Sequence, residues 1–148
     1  MLSKLDILRL LALSAMATTC AAQLVSTCFA APSNPNDASG SANCTRFVNA
    51  FCDAEAQAVF NPDALLSQDM ASRCFNMNDG LNRACHFNVV NTKSPDTVGT
   101  IPDNTNCKAG LNNLFTAPRF CDFGGKTSVA ASNMIVSVAM APGACFTL

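Results

Sequence analysis

Two kinds of periodicity divide this chain. From Thr45 to about Phe60, the apolar residues Phe47, Val48, Phe51, Cys52, Ala58 and Val59 fall on or near one helical stripe, while Arg46, Asn49, Asp53 and Glu55 lie elsewhere. The pattern predicts an amphipathic helix that stops before Asn61-Pro62, since proline disfavours the helical state in the residue before it. Asp63 to Gln68 reads as a further helical turn. Ala71–Met77 and Leu81–Asn91 then flank Asn78-Asp79-Gly80, and Asp-Gly between short apolar-rich runs predicts a β-hairpin. With Asp79-Gly80 as a two-residue loop, 74 faces 85, which places Cys74 opposite Cys85; a three-residue loop would move them out of register. Along the second strand Cys85, Phe87 and Val89 share one face and His86, Asn88 and Val90 the other. After an irregular stretch from Thr92 to Pro102, Asp103-Asn104-Thr105 offers helix caps, and Cys107, Leu111, Leu114 and Phe115 repeat at helical spacing until Pro118. Arg119–Phe123 reads as extended and Gly124-Gly125 as a turn. A last strand is expected over Asn133–Met140, where Met134, Val136, Val138 and Met140 alternate with Ile135, Ser137 and Ala139.

Neither strand has a cleanly polar second face. That predicts a sheet at least partly covered on both sides, with the helices as covers. The segment Pro32–Ser41 is loop material, rich in turn formers and free of large apolar residues, and Cys28 and Cys44 flank it.

The amino terminus changes the reading of the cysteines. Met1–Ala22 opens with Lys4 and Arg9, continues through an apolar run from Leu10 to Ala17, and ends in the small residues Cys20-Ala21-Ala22. It has the form of a secretory signal peptide cut after Ala22. Of the nine cysteines, Cys20 would leave with it, and eight would remain: Cys28, Cys44, Cys52, Cys74, Cys85, Cys107, Cys121 and Cys145. An even set in an exported chain predicts four disulfides, with 105 possible pairings. Removing 22 of the 148 residues leaves 126 for one mature domain, 23–148. No later apolar run reaches the roughly 18 residues that a membrane-spanning helix needs, so no membrane insertion is expected.

Nine basic and ten acidic residues become seven and nine once Lys4, Arg9 and Asp6 are removed. The basic residues are scattered singly, which leaves no footprint for nucleic acid. Most enzyme readings fail on inventory. There is one histidine, His86, and one mature glutamate, Glu55, with no Gly-x-Ser-x-Gly elbow to supply a nucleophile. No Cys-x-x-Cys or His-x-x-x-His spacing occurs, and oxidised cysteines cannot hold zinc, so neither a metal nor another cofactor is expected. Asn43-Cys44-Thr45 is the one N-glycosylation sequon, and its middle residue is a cysteine expected to be bridged.

Arg73-Cys74-Phe75 through Asn82-Arg83-Ala84-Cys85, then Asn106–Leu111, Cys121–Gly125 and Ala141–Cys145, together with the helix around Cys44 and Cys52, form a cysteine frame over nearly the whole mature chain. This frame resembles the small secreted glycan-binding proteins of mushrooms, a family of cysteine-rich lectins. The resemblance implies an α+β fold, a single αβα sandwich with a mainly antiparallel sheet and covering helices. It also implies binding of oligosaccharides on glycoproteins or cell surfaces without cleavage, and a homodimer formed by pairing sheet edges. The run Asn133–Met140 carries no Lys, Asp or Glu, so it is either the pairing edge or a central strand whose lack of charge means only burial. No binding residue follows from the resemblance itself. Trp and Tyr are absent, so hydrogen bonds or Phe must hold the sugar. The richest local set of oriented donors and acceptors is Asn76, Asn78, Asp79, Asn82, Arg83, His86 and Asn88. Asn112 and Asn113 on the second helix, and the loop around Phe120 and Phe123, are the other candidates. The competing readings are a secreted cysteine-rich toxin or inhibitor that binds protein, and a hydrolase using His86.

Overall fold

The computed structural model describes residues 24–31, 40–54, 56, 70–92, 103–116 and 120–145. The expected signal peptide at Met1–Ala22, the far end of the first helix at Phe60 and the helical turn expected at Asp63–Gln68 lie outside them. Five strands, β1 (Leu24–Cys28), β2 (Met70–Asn76), β3 (Arg83–Asn91), β4 (Gly124–Val129) and β5 (Met134–Pro142), form one sheet in the order β1-β4-β5-β3-β2. Every neighbouring pair is antiparallel. The fold is α+β.

The alternation read along β3 and β5 holds. Cys85, Phe87 and Val89 lie opposite Met140, Val138 and Val136, and all six are buried on one face. A 3-10 helix at Ser41–Phe47 leads directly into α1 (Val48–Asp53), so the first helix starts earlier than its stripe implies and leaves regular geometry at Ala54. The second helix, α2 (Asn104–Asn112), is capped as expected: Asp103 Oδ1 accepts from the Asn106 backbone N–H at 2.8 Å. Both described α-helices pack on the buried face. Phe51 of α1 stacks on Phe87 at 5.3 Å between centroids, Phe75 meets Phe87 edge-on at 5.6 Å, and Phe47 stacks on Phe75 at 4.9 Å. This Phe chain carries the contact from helix to edge strand.

All eight expected cysteines are paired, as Cys28–Cys121, Cys44–Cys85, Cys52–Cys107 and Cys74–Cys145. The loops they close span 41 to 93 residues, each worth about 4 kcal/mol in the chain-entropy account. Cys52–Cys107 ties α1 to α2, and beside it Lys108 Nζ reaches Asp53 Oδ1 at 2.6 Å.

Two expectations need correction, and one alternative is decided. Cys74 does not face Cys85: the observed register pairs Cys74 with His86 and Phe75 with Cys85. A single-residue slip reverses the face each side chain reaches, so Cys85 turns into the core to meet Cys44 while Cys74 turns outward. Gly124-Gly125 is not a turn but the start of β4. The glycines serve close backbone approach there, since a Cβ on Gly124 would lie 2.1 Å from Val138 O and one on Gly125 2.7 Å from Thr27 O. Finally, the charge-free strand is not an edge. β5 sits at the centre between β4 and β3, and its lack of charge reflects burial; the two edges are β1 and β2.

The helix α2 lies tight on the sheet because Gly110 faces it. A Cβ at this position would come 2.7 Å from Val136 Cγ2 and 3.0 Å from Val129 Cγ2, and valine is stiff at χ1. In an exposed helix Gly→Ala stabilises by about 1 kcal/mol. Here the sign should reverse, with Gly110→Ala destabilising by about 1–3 kcal/mol as an overpacked core position. Denaturant unfolding measures this, and a raised midpoint would contradict the packing.

Candidate functional site

The hairpin tip is built by local backbone chemistry. Met77 N–H donates to Arg83 O at 2.9 Å as the last rung before the turn. Asn78 and Asn82 then both take left-handed backbone angles, each with φ 50°, which asparagine tolerates better than most residues. Between them Asp79 organises the loop. Its Oδ1 accepts the Leu81 backbone N–H at 2.9 Å, and its Oδ2 accepts Arg83 Nε at 2.9 Å and Nη2 at 2.6 Å. The loop is thus longer than a two-residue turn, which is the physical cause of the register slip.

A second segment completes the site. Gly143 N–H donates to Asn82 O at 2.7 Å, and Cys145 N–H donates to Asn76 Oδ1 at 2.6 Å. The Cys74–Cys145 bridge staples this carboxy-terminal arm to β2. Between hairpin and arm lies an open pocket of about 340 Å³, lined by Asn76, Asn78, Asp79, Gly80, Asn82, Arg83 and Ala144. Five of the seven sequence-predicted residues therefore converge: Asn76, Asn78, Asp79, Asn82 and Arg83. His86 and Asn88 do not line the pocket. They lie farther along β3 on the outer sheet face, opposite Cys74 and Ser72, and share that face with Asn76.

The arm is what sequence reasoning missed. Ala141-Pro142-Gly143-Ala144-Cys145 carries no polar side chain to draw attention, and its place shows only in the fold, through the pairing of Pro142 with Arg83, two backbone donors and the Cys145 bridge. The other candidates are placed differently. Asn113 Nδ2 donates to Ser26 Oγ at 2.7 Å, and Ser26 meets Thr127 at 2.7 Å, so Asn113 secures β1 to α2. Asn112 is exposed at the end of α2. Phe120 is exposed beside Ser41, Phe115, Cys121 and Asp122, but the cleft there holds about 10 Å³, room for about one water and no sugar ring.

Chemically the pocket offers amide donors and acceptors with charges that cancel. Asp79 and Arg83 neutralise each other with their side chains only 22 % and 17 % exposed. The Leu81 N–H and the Arg83 guanidinium hold the Asp79 carboxyl below the usual aspartate range. Such a site suits hydroxyls better than a net charge.

The family comparison joins this geometry to a class of ligand. A family model described as "Glycan binding domain Y3" matches residues 43–145, from the 3-10 helix to the stapled arm. The chain belongs to the Y3 glycan-binding domain family. Neither the curated proteins nor the solved structures contain a match. By this membership the protein is a carbohydrate-binding one, and its Y3 domain contains the whole pocket.

The Asp79 carboxyl sets a pH dependence. Because its folded pKa is depressed, its contribution to hairpin stability is complete above the unfolded value near 3.9 and is lost as pH falls through the lower folded value. A carboxyl ¹³C NMR titration should give Asp79 a midpoint below that of exposed aspartates, with the Leu81 amide signal moving alongside. Titration at the ordinary value would remove Asp79 as the organiser of the loop.

Proposed function

We propose that this Y3-domain protein is a secreted lectin that binds neutral oligosaccharides on glycoproteins or cell surfaces through the β2–β3 tip pocket and does not cleave them. The observation that carries the reading is the charge-balanced Asp79–Arg83 pair held between Asn76, Asn78 and Asn82. Fixed donors and acceptors lose little entropy on meeting a polyol. The two outlying residues fit an extended ligand. Asn76, His86 and Asn88 share the outer face, so a second sugar unit running along β3 from the pocket meets them at intervals of about 7 Å per residue pair. The second helical layer of an αβα sandwich would lie over the β5 part of this face, where Ile135, Ser137 and Ala139 are half-buried, leaving His86 exposed.

Export through the Met1–Ala22 segment fits a domain held by four disulfides. A homodimer would strengthen weak sugar sites by avidity. For its contact we propose the β1 edge. Leu24–Cys28 carries no charge or proline, and Val25 is 55 % exposed, whereas the β2 edge carries Arg73.

A glycan array probed with the oxidised mature protein tests the reading, and binding to a protein partner in place of every glycan would replace it. Asp79→Ala and Arg83→Ala should each weaken glycan binding about tenfold or more, as expected for charge-assisted hydrogen bonds. Asp79→Asn keeps the turn propensity and removes the charge, so weakened binding in a variant of parental thermal stability marks a contact. Unchanged binding in both alanine variants would rule out the pocket. Light scattering should give a dimer mass that falls to a monomer in Val25→Lys; a parental monomer would end the dimer reading.

A further inference from the structure

The four bridges differ in access. Cys44, Cys85, Cys52 and Cys107 are fully buried and Cys121 is 2 % exposed, so three bridges have at least one half inside the core. Cys74 and Cys145 are both only half-buried, at the rim of the sheet. The chain's one histidine stands beside them: His86 faces Cys74 across the β2–β3 pair, is exposed, and places Nε2 3.6 Å from Cys74 Sγ. Neither the sugar reading nor the packing of the core uses this contact between imidazole and disulfide.

We propose that Cys74–Cys145 is a thiol-exchange site for low-molecular-weight thiols of the glutathione type, with His86 assisting, and that its reduction releases the arm that walls the sugar pocket. The thiolate form of the small thiol attacks Cys145 Sγ. The disulfide breaks, and its electron pair goes to Cys74 Sγ, where His86 Nε2–H hydrogen-bonds the leaving thiolate and gives it a proton, which the imidazole regains from solvent. A less basic leaving sulfur departs faster, and the contact the imidazole makes is with Cys74 Sγ. The first products are the Cys74 thiol and a mixed disulfide on Cys145. A second thiolate then attacks the sulfur of the bound small thiol and releases Cys145, so two small thiols become one small disulfide while the protein gains two thiols. Attack at Cys44–Cys85 and Cys52–Cys107, whose halves are all fully buried, requires opening of the fold first, and at Cys28–Cys121 the leaving sulfur would be the buried Cys121, without the imidazole that stands at Cys74.

The consequence for the pocket follows from how the arm is held. β5 stays paired with β3 as far as Pro142 opposite Arg83, and beyond it the arm's described ties to the hairpin, apart from the bridge, are Gly143 N–H to Asn82 O and Cys145 N–H to Asn76 Oδ1, both at the surface. With the bridge open these two hydrogen bonds compete directly with water, and Ala144 no longer closes the pocket. The exchange chemistry is independent of what the pocket binds; only the effect on sugar affinity rests on the lectin reading.

The test uses the full oxidised mature chain in graded glutathione buffers, quenched by alkylation and mapped by peptide mass. Cys74 and Cys145 should become labelled several-fold faster than any other pair, with the glutathione adduct on Cys145 and near-UV circular dichroism retained. Hydrogen exchange should quicken at Gly143, Cys145 and the 78–83 loop while the β5 core stays protected. His86→Gln keeps the shape of the side chain but cannot release a proton, so it should slow this first reduction several-fold at unchanged thermal stability. Prior opening of Cys28–Cys121, whose Cys28 is exposed, would overturn the proposal. So would simultaneous loss of all four bridges, an adduct on Cys74, or an unaltered rate in His86→Gln. None of these readouts involves a glycan, so they can fail without touching the lectin reading, and an empty glycan array would leave them standing.

Discussion

The register of the β2–β3 hairpin determines what each face of the sheet can become. Side chains alternate strictly along a strand, so the register sends Cys85 inward to Cys44, beneath the Phe chain, and Cys74 outward to the arm. Either cysteine on the wrong face would leave its partner without a bridge. Asp79 fixes this register by fastening the loop to Leu81 and Arg83, and the same contacts hold the pocket walls. The residues that align the core and those proposed to meet the ligand are therefore partly the same.

The interior is divided between apolar contact and covalent ties. On the buried face Phe47, Phe75, Phe87 and Phe51 interlock from edge strand to helix, and Cys52–Cys107 prevents the two described α-helices from separating. Near β1 the packing is polar instead. Ser26, Thr127 and Asn113 satisfy one another there, so a short edge strand is positioned by direction-specific bonds where apolar contact alone would allow it to slide.

Elements governed by nearest-neighbour chemistry were legible in the sequence. The cap at Asp103, the alternation of β3 and β5, the existence of the hairpin and the set of eight bridged cysteines follow from residue type and spacing. What was not legible depended on distant partners. Gly124-Gly125 carries the composition of a turn, and only the closeness of Val138 and Thr27 makes it a strand. β1 offers five residues with no turn signal of its own, and it pairs with a strand about a hundred positions later. The charge-free run at β5 fits an edge and a centre equally well until neighbours are known on both sides. At the pocket, five polar residues stood within eight positions and could be found together. The arm could not, because cysteine spacing does not reveal pairing.

The pattern of bridges bears on how the chain is made. Each joins one of the first four cysteines to one of the last four: Cys28 to Cys121, Cys44 to Cys85, Cys52 to Cys107, Cys74 to Cys145. Every native bridge thus crosses the hairpin tip. During amino-to-carboxy synthesis, any disulfide closed before Cys85 emerges is a wrong one, and Cys28, Cys44 and Cys52 are in reach of one another throughout that interval. Productive oxidation has to wait for the second half of the chain or undo what the first half has done, so the order in which the cysteines appear limits when any native bridge can close.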